Sequence, residues 1–245
     1  MDRRQIIAYS LMCNGEYDQI INAIETKMEV PDNIYSQVDD ISDKAITIFD
    51  EDYPKQLLNL SMPPFVLFIK GDRSLLNDEH ARIAIVGSRM PTPYSIDATK
   101  LLCNQKRDKV IVSGLAKGID TCAHDNANKT IAVLGCGIDY IYPRCNFDLF
   151  KKIEKEGLII SEYPSYTKPL GYHFPFRNRI IAALADCLYV AECKHNSGTM
   201  TSINEALKLG KDVKALPFNI FTALSNKVCN NTLINEGMEL WDIEP

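Results

Sequence analysis

No apolar run in the sequence exceeds about half a dozen residues, well short of the ~18 that a membrane-spanning helix needs. Nor does a signal-peptide core follow the opening Met1-Asp2-Arg3-Arg4-Gln5. A soluble, cytoplasmic protein with no membrane partner is the expectation. Cys-x-x-Cys pairs are also missing, although there are eight cysteines, and the four histidines at 80, 124, 173 and 195 form no tight cluster with them. That excludes the ligand spacing of a structural zinc site and predicts no metal, with most thiols buried and free in a reducing compartment. Internal repeats and low-complexity tracts are absent, and 46% apolar with 24% charged residues is globular composition. Finally, positive charge is not in excess. With 27 basic against 32 acidic side chains the net charge is -5, which at first sight disfavours a partner as negative as nucleic acid.

The distribution of charge reverses that first inference. Residues 1–80 hold 7 basic and 15 acidic groups, a net of -8, whereas residues 81–235 hold 20 and 13, a net of +7. The acidic tail (Glu236, Glu239, Asp242, Glu244) carries a further -4. The middle of the chain is therefore basic, and the low pI does not count against an anionic ligand.

From Arg82 onward, short β-branched apolar runs recur: Ile83–Val86, Val110–Val112, Ile131–Leu134, Leu158–Ile160, Leu188–Ala191 and Val213–Leu216. They are continuous rather than alternating, as expected of strands covered on both faces. Helical patterns fall between them near 94–106, 117–127, 147–156, 177–185 and 200–209. The alternation predicts an α/β fold with a mainly parallel, doubly wound sheet. Ile46–Phe49 and Phe65–Ile69 are expected as added edge strands. Residues 1–45 form a small N-terminal helical region of two or three short helices interrupted at Pro31, leaving 46–245 as the main domain.

In such sheets, ligands bind beyond the carboxyl ends of the strands. The runs are followed by Gly87-Ser88-Arg89, by Ser113-Gly114-Leu115-Ala116-Lys117-Gly118-Ile119-Asp120, by Gly135-Cys136-Gly137, by Ser161-Glu162-Tyr163-Pro164 and by Ser197-Gly198-Thr199. Glycine lets a ligand approach the backbone, and helix-start amides favour oxygen-rich anions such as phosphate. Each loop alone also reads as a tight turn. Arg89 and Lys117, however, place cations at helix starts, where the helix dipole disfavours them, and so point to an anionic partner. No P-loop is present, and Gly135-x-Gly137 lacks the third glycine of a dinucleotide fingerprint, so no nucleotide cofactor is expected.

A second constellation is His173-Phe174-Pro175-Phe176-Arg177-Asn178-Arg179, read as a loop before a helix over Ile180–Leu184. Its two arginines could clamp phosphates while the aromatics stack on bases. Equally, Phe174 and Phe176 could seat the loop in the core, with Asn178 capping the helix. Asp120 and Asp139 read as structural loop acids as readily as catalytic ones, and His124 as a packed histidine. No nucleophile–base–orienter set can be assembled, so no catalytic residue is assigned and binding is expected rather than catalysis.

Taken in order, Ile85-Val86-Gly87-Ser88-Arg89, Ser113 to Asp120, Ala132-Val133-Leu134-Gly135 with Tyr142-Pro143, Ser161-Glu162-Tyr163-Pro164 and Phe174-Pro175-x-Arg177-Asn178-Arg179-Ile180-Ile181 resemble the DNA-processing protein A (DprA/Smf) family over about residues 46–240. Phe49-Asp50-x-Asp52-Tyr53-Pro54, Ser197-Gly198-Thr199 and Leu233-Ile234-x-x-Gly237 continue the likeness. The resemblance implies an extended Rossmann-like domain that binds single-stranded DNA, acts as a homodimer, protects incoming strands and helps load RecA recombinase in natural transformation. It assigns Arg89, Lys117, Arg177 and Arg179 to phosphates, with Gly87, Ser88, Gly118 and Asn178 shaping the pocket and Phe174 beside them.

Departures from the family pattern are an N-terminal region shorter than the usual sterile-alpha-motif-like domain, with no clear helix-hairpin-helix glycine pattern, and no winged-helix-like segment before the chain stops at Pro245. Phe218 and Cys229 also stand where glycine is common. The alternative is a nucleotide-binding sensor or phosphoribohydrolase-like enzyme, but Asn196-Ser197-Gly198-Thr199 breaks the Pro-Gly-Gly-x-Gly-Thr pattern of those enzymes.

Overall fold

The β-branched runs do become strands with both faces covered. The computed structural model describes residues 1–77, 80–218 and 228–243; Glu244 of the acidic tail lies outside them. Its strands are β1 (Ala45–Thr47), β2 (Val66–Gly71), β3 (Arg82–Gly87), β4 (Val110–Ser113), β5 (Lys129–Val133), β6 (Leu158–Ser161), β7 (Cys187–Glu192), β8 (Asp212–Ala215) and β9 (Glu239–Leu240). They form one sheet in the order β1-β2-β6-β5-β4-β3-β7-β8-β9. From β6 to β9 every pairing is parallel, while β1 and β2 add antiparallel at one edge. The fold is α/β with a mostly parallel, doubly wound sheet, as the strand–helix alternation predicts.

Alternate residues of each strand serve opposite faces. Ala84 and Val86 join a core with α7 (His173–Leu184) and α8 (Gly198–Lys208). Ile83 and Ile85 turn to the other face, where α4 (Pro93–Gln105) and α5 (Ile119–Asn126) cover them. Full burial of such side chains is worth about 1.5–3 kcal/mol each, which fixes the strand register. Farther along the second face, Ala132 and Ile159 meet α6 (Phe147–Glu156) together with Ile6, Ile7 and Tyr9 of α1 (Arg3–Met12). The N-terminal helices, completed by α2 (Tyr17–Glu25) and α3 (Asp32–Ile41), thus share a core with the sheet. Pro31 does not merely interrupt them; it is the N-cap residue of α3.

The cysteines are all free, six of them buried, with Cys187 half-buried and Cys145 exposed. Among the described residues no group of His, Cys, Asp or Glu is arranged to hold a metal, and no helix is long and apolar enough to cross a membrane.

One element begins earlier than the sequence pattern indicates. The segment His173-Phe174-Pro175-Phe176 is the first turn of α7 rather than a loop, because proline is tolerated where the amide has no intrahelical partner. Two further elements carry no periodic signal, namely the two-residue β9 and the six-residue α9 (Asn230–Asn235).

Candidate functional site

Strand order reverses between β3 and β7: the chain runs outward through β4, β5 and β6, then returns to place β7 beside β3. Loops diverging from such a switch point open a crevice at the carboxyl ends of the strands. Here it is a cavity of about 660 Å³ lined from β3 by Gly87, Ser88 and Arg89, and from α7 by Phe174, Arg177 and Asn178. Beyond β7, Glu192, Lys194 and the start of α8 close the far wall.

The loops after β3 and β4 are pressed together by glycine. Gly118 has φ +81°, and a Cβ there would collide with the Ser88 carbonyl oxygen and lie 2.9 Å from the Arg89 carbonyl carbon. The Ile119 amide donates to the Ser88 carbonyl at 3.2 Å. A Cβ at Gly87 would lie 2.7 Å from the Ile119 side chain. Two cation-bearing loops are consequently held side by side, with Arg89 and Lys117 both exposed. Lys117 stands outside the cavity, at its approach.

The inner wall is built differently. The Arg177 guanidinium is buried and donates to the Gly114 carbonyl at 2.9 Å and to the Val133 carbonyl, joining the ends of β4 and β5. A Cβ at Gly114 would lie 2.5 Å from that guanidinium, so glycine is what lets the arginine reach the strand ends. Burial holds the Arg177 pKa below its ordinary value. Asn178 donates to the Gly198 carbonyl at 3.0 Å, tying α7 to α8; it is internal to α7 and does not cap it. The Phe174 ring sits over Gly135, with the Tyr142 ring at 5.4 Å and the Arg89 guanidinium 5.7 Å from its centre.

Arg179 is not on this wall. Residues two apart on a helix are rotated by about 200°, and Arg179 leaves α7 on the opposite side from Arg177. It makes a bidentate ion pair with Glu162 at 2.8 and 2.6 Å and donates to the Met62 carbonyl at 2.9 Å. Both members of the pair are about 95% buried. The two arginines therefore do not form a single clamp, and Arg179 has its charge matched inside the protein.

His124 and Asp120 hold loop backbone. The Leu115 amide donates to His124 Nε2 at 3.3 Å, while Nδ1 lies 2.6 Å from the Thr130 hydroxyl, which itself donates to the Ile111 carbonyl. Nδ1 therefore carries the proton of a neutral ring. Burial, aided by the nearby Arg177 charge, pushes the His124 pKa down to about 3. Asp120 Oδ2 accepts from the Gly114 and Ala116 amides at 3.1 and 3.3 Å, and burial raises its pKa. Asp139 lies elsewhere, paired with Lys70. Sequence reasoning misses Glu192, Lys194 and Tyr142 as cavity residues. The first two directly follow the β7 run, so the rule that led to the other loops reaches them as well.

With this geometry in view, residues 44–243 match the model of the family DNA recombination-mediator protein A. The chain belongs to this family. Among curated members, the DNA processing protein DprA of Streptococcus pneumoniae is 41% identical over 80% of this chain and 70% of its own length. The DprA of Bacillus subtilis is 38% identical over 82% and 69%. The X-ray structure of the S. pneumoniae DprA superposes with a TM-score of 0.79 at 31% identity, covering 100% of this chain and 99% of that one. A structure of Helicobacter pylori DprA, described for its single-stranded DNA binding mode, gives 0.73 at 35% identity over 80% of this chain and 89% of that one. The family is one of DNA-processing proteins.

Proposed function

We propose that this DprA-family protein binds single-stranded DNA without sequence preference, through phosphates, where the β3 and β4 loops meet. The observation that carries the reading is the pairing of Arg89 with Lys117. Both are exposed, their loops are locked together through Gly118, and among the described residues neither has a carboxylate partner. Phosphate contacts of this kind position a strand and carry no sequence information. Gly87 and Ser88 bring the backbone up to the strand, and Phe174, Arg177 and Asn178 form the inner wall. Arg179 supports that wall through Glu162. The single-stranded DNA binding of the H. pylori relative supports this assignment.

In this reading the protein acts in the cytoplasm as a homodimer. It shields incoming strands in natural transformation and helps RecA recombinase load onto them. Residues 46–245 form the DNA-binding unit and 1–45 a helical addition. It works by binding, without catalysis or cofactor; His124 and one carboxylate oxygen of Asp120 are engaged by loop amides.

The deciding experiment titrates oligo-dT binding against salt beside light scattering on the eluting protein. Affinity that falls steeply between about 50 and 200 mM salt, with a dimer in solution, is the expected result. Affinity indifferent to salt, or release of free base from a nucleoside monophosphate, overturns the reading in favour of a small-nucleotide enzyme.

A further inference from the structure

Two cysteines that the site does not use meet where β7 ends. Cys193 is the residue after β7, and Cys229 is the N-cap residue of α9. They are 1% and 0% exposed. The Cys229 amide donates to the Cys193 carbonyl at 2.8 Å. Standard bond lengths on either side of that hydrogen bond hold the two Cα atoms within about 6.7 Å, inside the ~4.4–6.8 Å that a disulfide spans. The side chains also converge, since each thiol is within hydrogen-bonding reach of the other.

Their backbones are pinned from both sides. Asn230, next to Cys229, accepts from the Cys193 amide at 2.8 Å and donates to the carbonyls of Val190, Ala191 and Leu216. The Cys193 sulfur otherwise lies only near the Ser197 hydroxyl at 3.6 Å and the Lys194 carbonyl at 3.5 Å. Joining the two sulfurs therefore asks for side-chain rotation and not for a new backbone arrangement. Burial raises the pKa of both thiols, Cys193 up to about 12, which keeps the pair protonated and slow to react while α9 is closed. The hydrogen bond from Cys193 opposes that rise at Cys229, so Cys229 is the first of the two to ionise.

We propose that Cys193 and Cys229 are a redox pair, which hydrogen peroxide converts into a disulfide that staples the start of α9 to the end of β7. The peroxide enters through local opening of the six-residue α9. The Cys229 thiolate attacks a peroxide oxygen, the O–O bond breaks, and the departing hydroxide takes up the proton that Cys229 released, leaving a sulfenic acid. The Cys193 sulfur then attacks the Cys229 sulfur, the S–O bond breaks, and water leaves with the Cys193 proton. Two electrons pass from the thiols to the peroxide, and the products are one disulfide and two waters. The loop so closed, residues 193–229, carries α8 and β8. Cys193 directly precedes Lys194 on the far wall of the cavity. The staple fastens that wall, whatever the cavity holds.

The test uses the full chain, freed of reductant, exposed to hydrogen peroxide, alkylated with iodoacetamide and digested without reduction for mass spectrometry. Peptides joined through Cys193 and Cys229 should be the main cross-link. The urea midpoint of the oxidised protein should rise and should return on addition of dithiothreitol, because the cross-link restricts the unfolded chain. Cys229→Ser should show neither the link nor the rise. Recovery of both cysteines in alkylated form after oxidation, or of either one joined to a different cysteine, overturns the proposal. The cross-link map of the unaltered protein decides the matter even where Cys229→Ser does not fold.

Discussion

Arg177 and Arg179, two residues apart on α7, face opposite sides of the helix and do different work. Arg177 closes on the carbonyls of Gly114 and Val133 at the cavity wall, whereas Arg179 is locked to Glu162. A family motif that reads as one basic unit is split by helical geometry into two structural devices. The exposed positive charge of the site comes instead from Arg89, Lys117 and Lys194.

Removing Arg179 should therefore cost stability before it costs affinity. Arg179→Ala leaves Glu162 buried without its partner, a loss of about 3–5 kcal/mol, read as a lowered urea midpoint. Arg179→Met combined with Glu162→Gln should recover much of it. An Arg179→Ala protein as stable as the parent would show that the pair is not what holds this wall.

Arg89→Ala with Lys117→Ala should behave in the opposite way. Both side chains are exposed, so thermal unfolding should hardly move. Oligo-dT affinity should drop, and the slope of log affinity against log salt should shrink by about 1.4, the share of two phosphate contacts on a single strand. An unchanged slope would remove these residues from the interface.

Gly118→Ala should unfold more readily and bind less well. Its positive φ is strained for any residue with a Cβ, and that Cβ meets backbone of the Ser88–Arg89 loop rather than a movable side chain. About 1–3 kcal/mol of destabilisation is expected from chemical denaturation. The loss of affinity should exceed that of Gly210→Ala, whose Cβ would meet open space despite a similar φ.

His124 gives stability a dependence on pH. The folded state keeps it neutral down to about 3, whereas in the unfolded chain it takes up a proton near 6.5. The unfolded state thus binds more protons between those values, and stability is lost as pH is lowered across that window, by about 1.4 kcal/mol per unit. His124→Gln should flatten the slope between pH 6.5 and 3. A parallel slope in parent and variant would place the proton uptake elsewhere.

Six parallel strands and the loops that follow them are legible in the sequence because covered strands leave continuous β-branched runs and their turns need glycine. What escapes has a physical cause in each case. The start of α7 is hidden by Pro175, which reads as a breaker although the first turn accepts it. The commitment of Arg179 is hidden because Glu162 lies on another strand's loop, and no local spacing encodes that meeting. Glu192 looks like the ordinary end of a strand. Only the return of β7 to the side of β3 brings it opposite Asp120.

The turn between α1 and α2 reaches the cavity from behind. Gly15 packs against Glu162 and Tyr163, and the Glu16 carboxylate accepts from the Tyr172 hydroxyl and meets His173 Nε2, each at 2.8 Å. Tyr172 and His173 are the two residues before Phe174. The N-terminal helices are thereby a lever on one jaw of the crevice, while the opposite jaw is anchored in the sheet through β3 and β7. A change in how residues 1–41 pack should therefore shift Phe174 at the cavity wall without any contact inside the cavity.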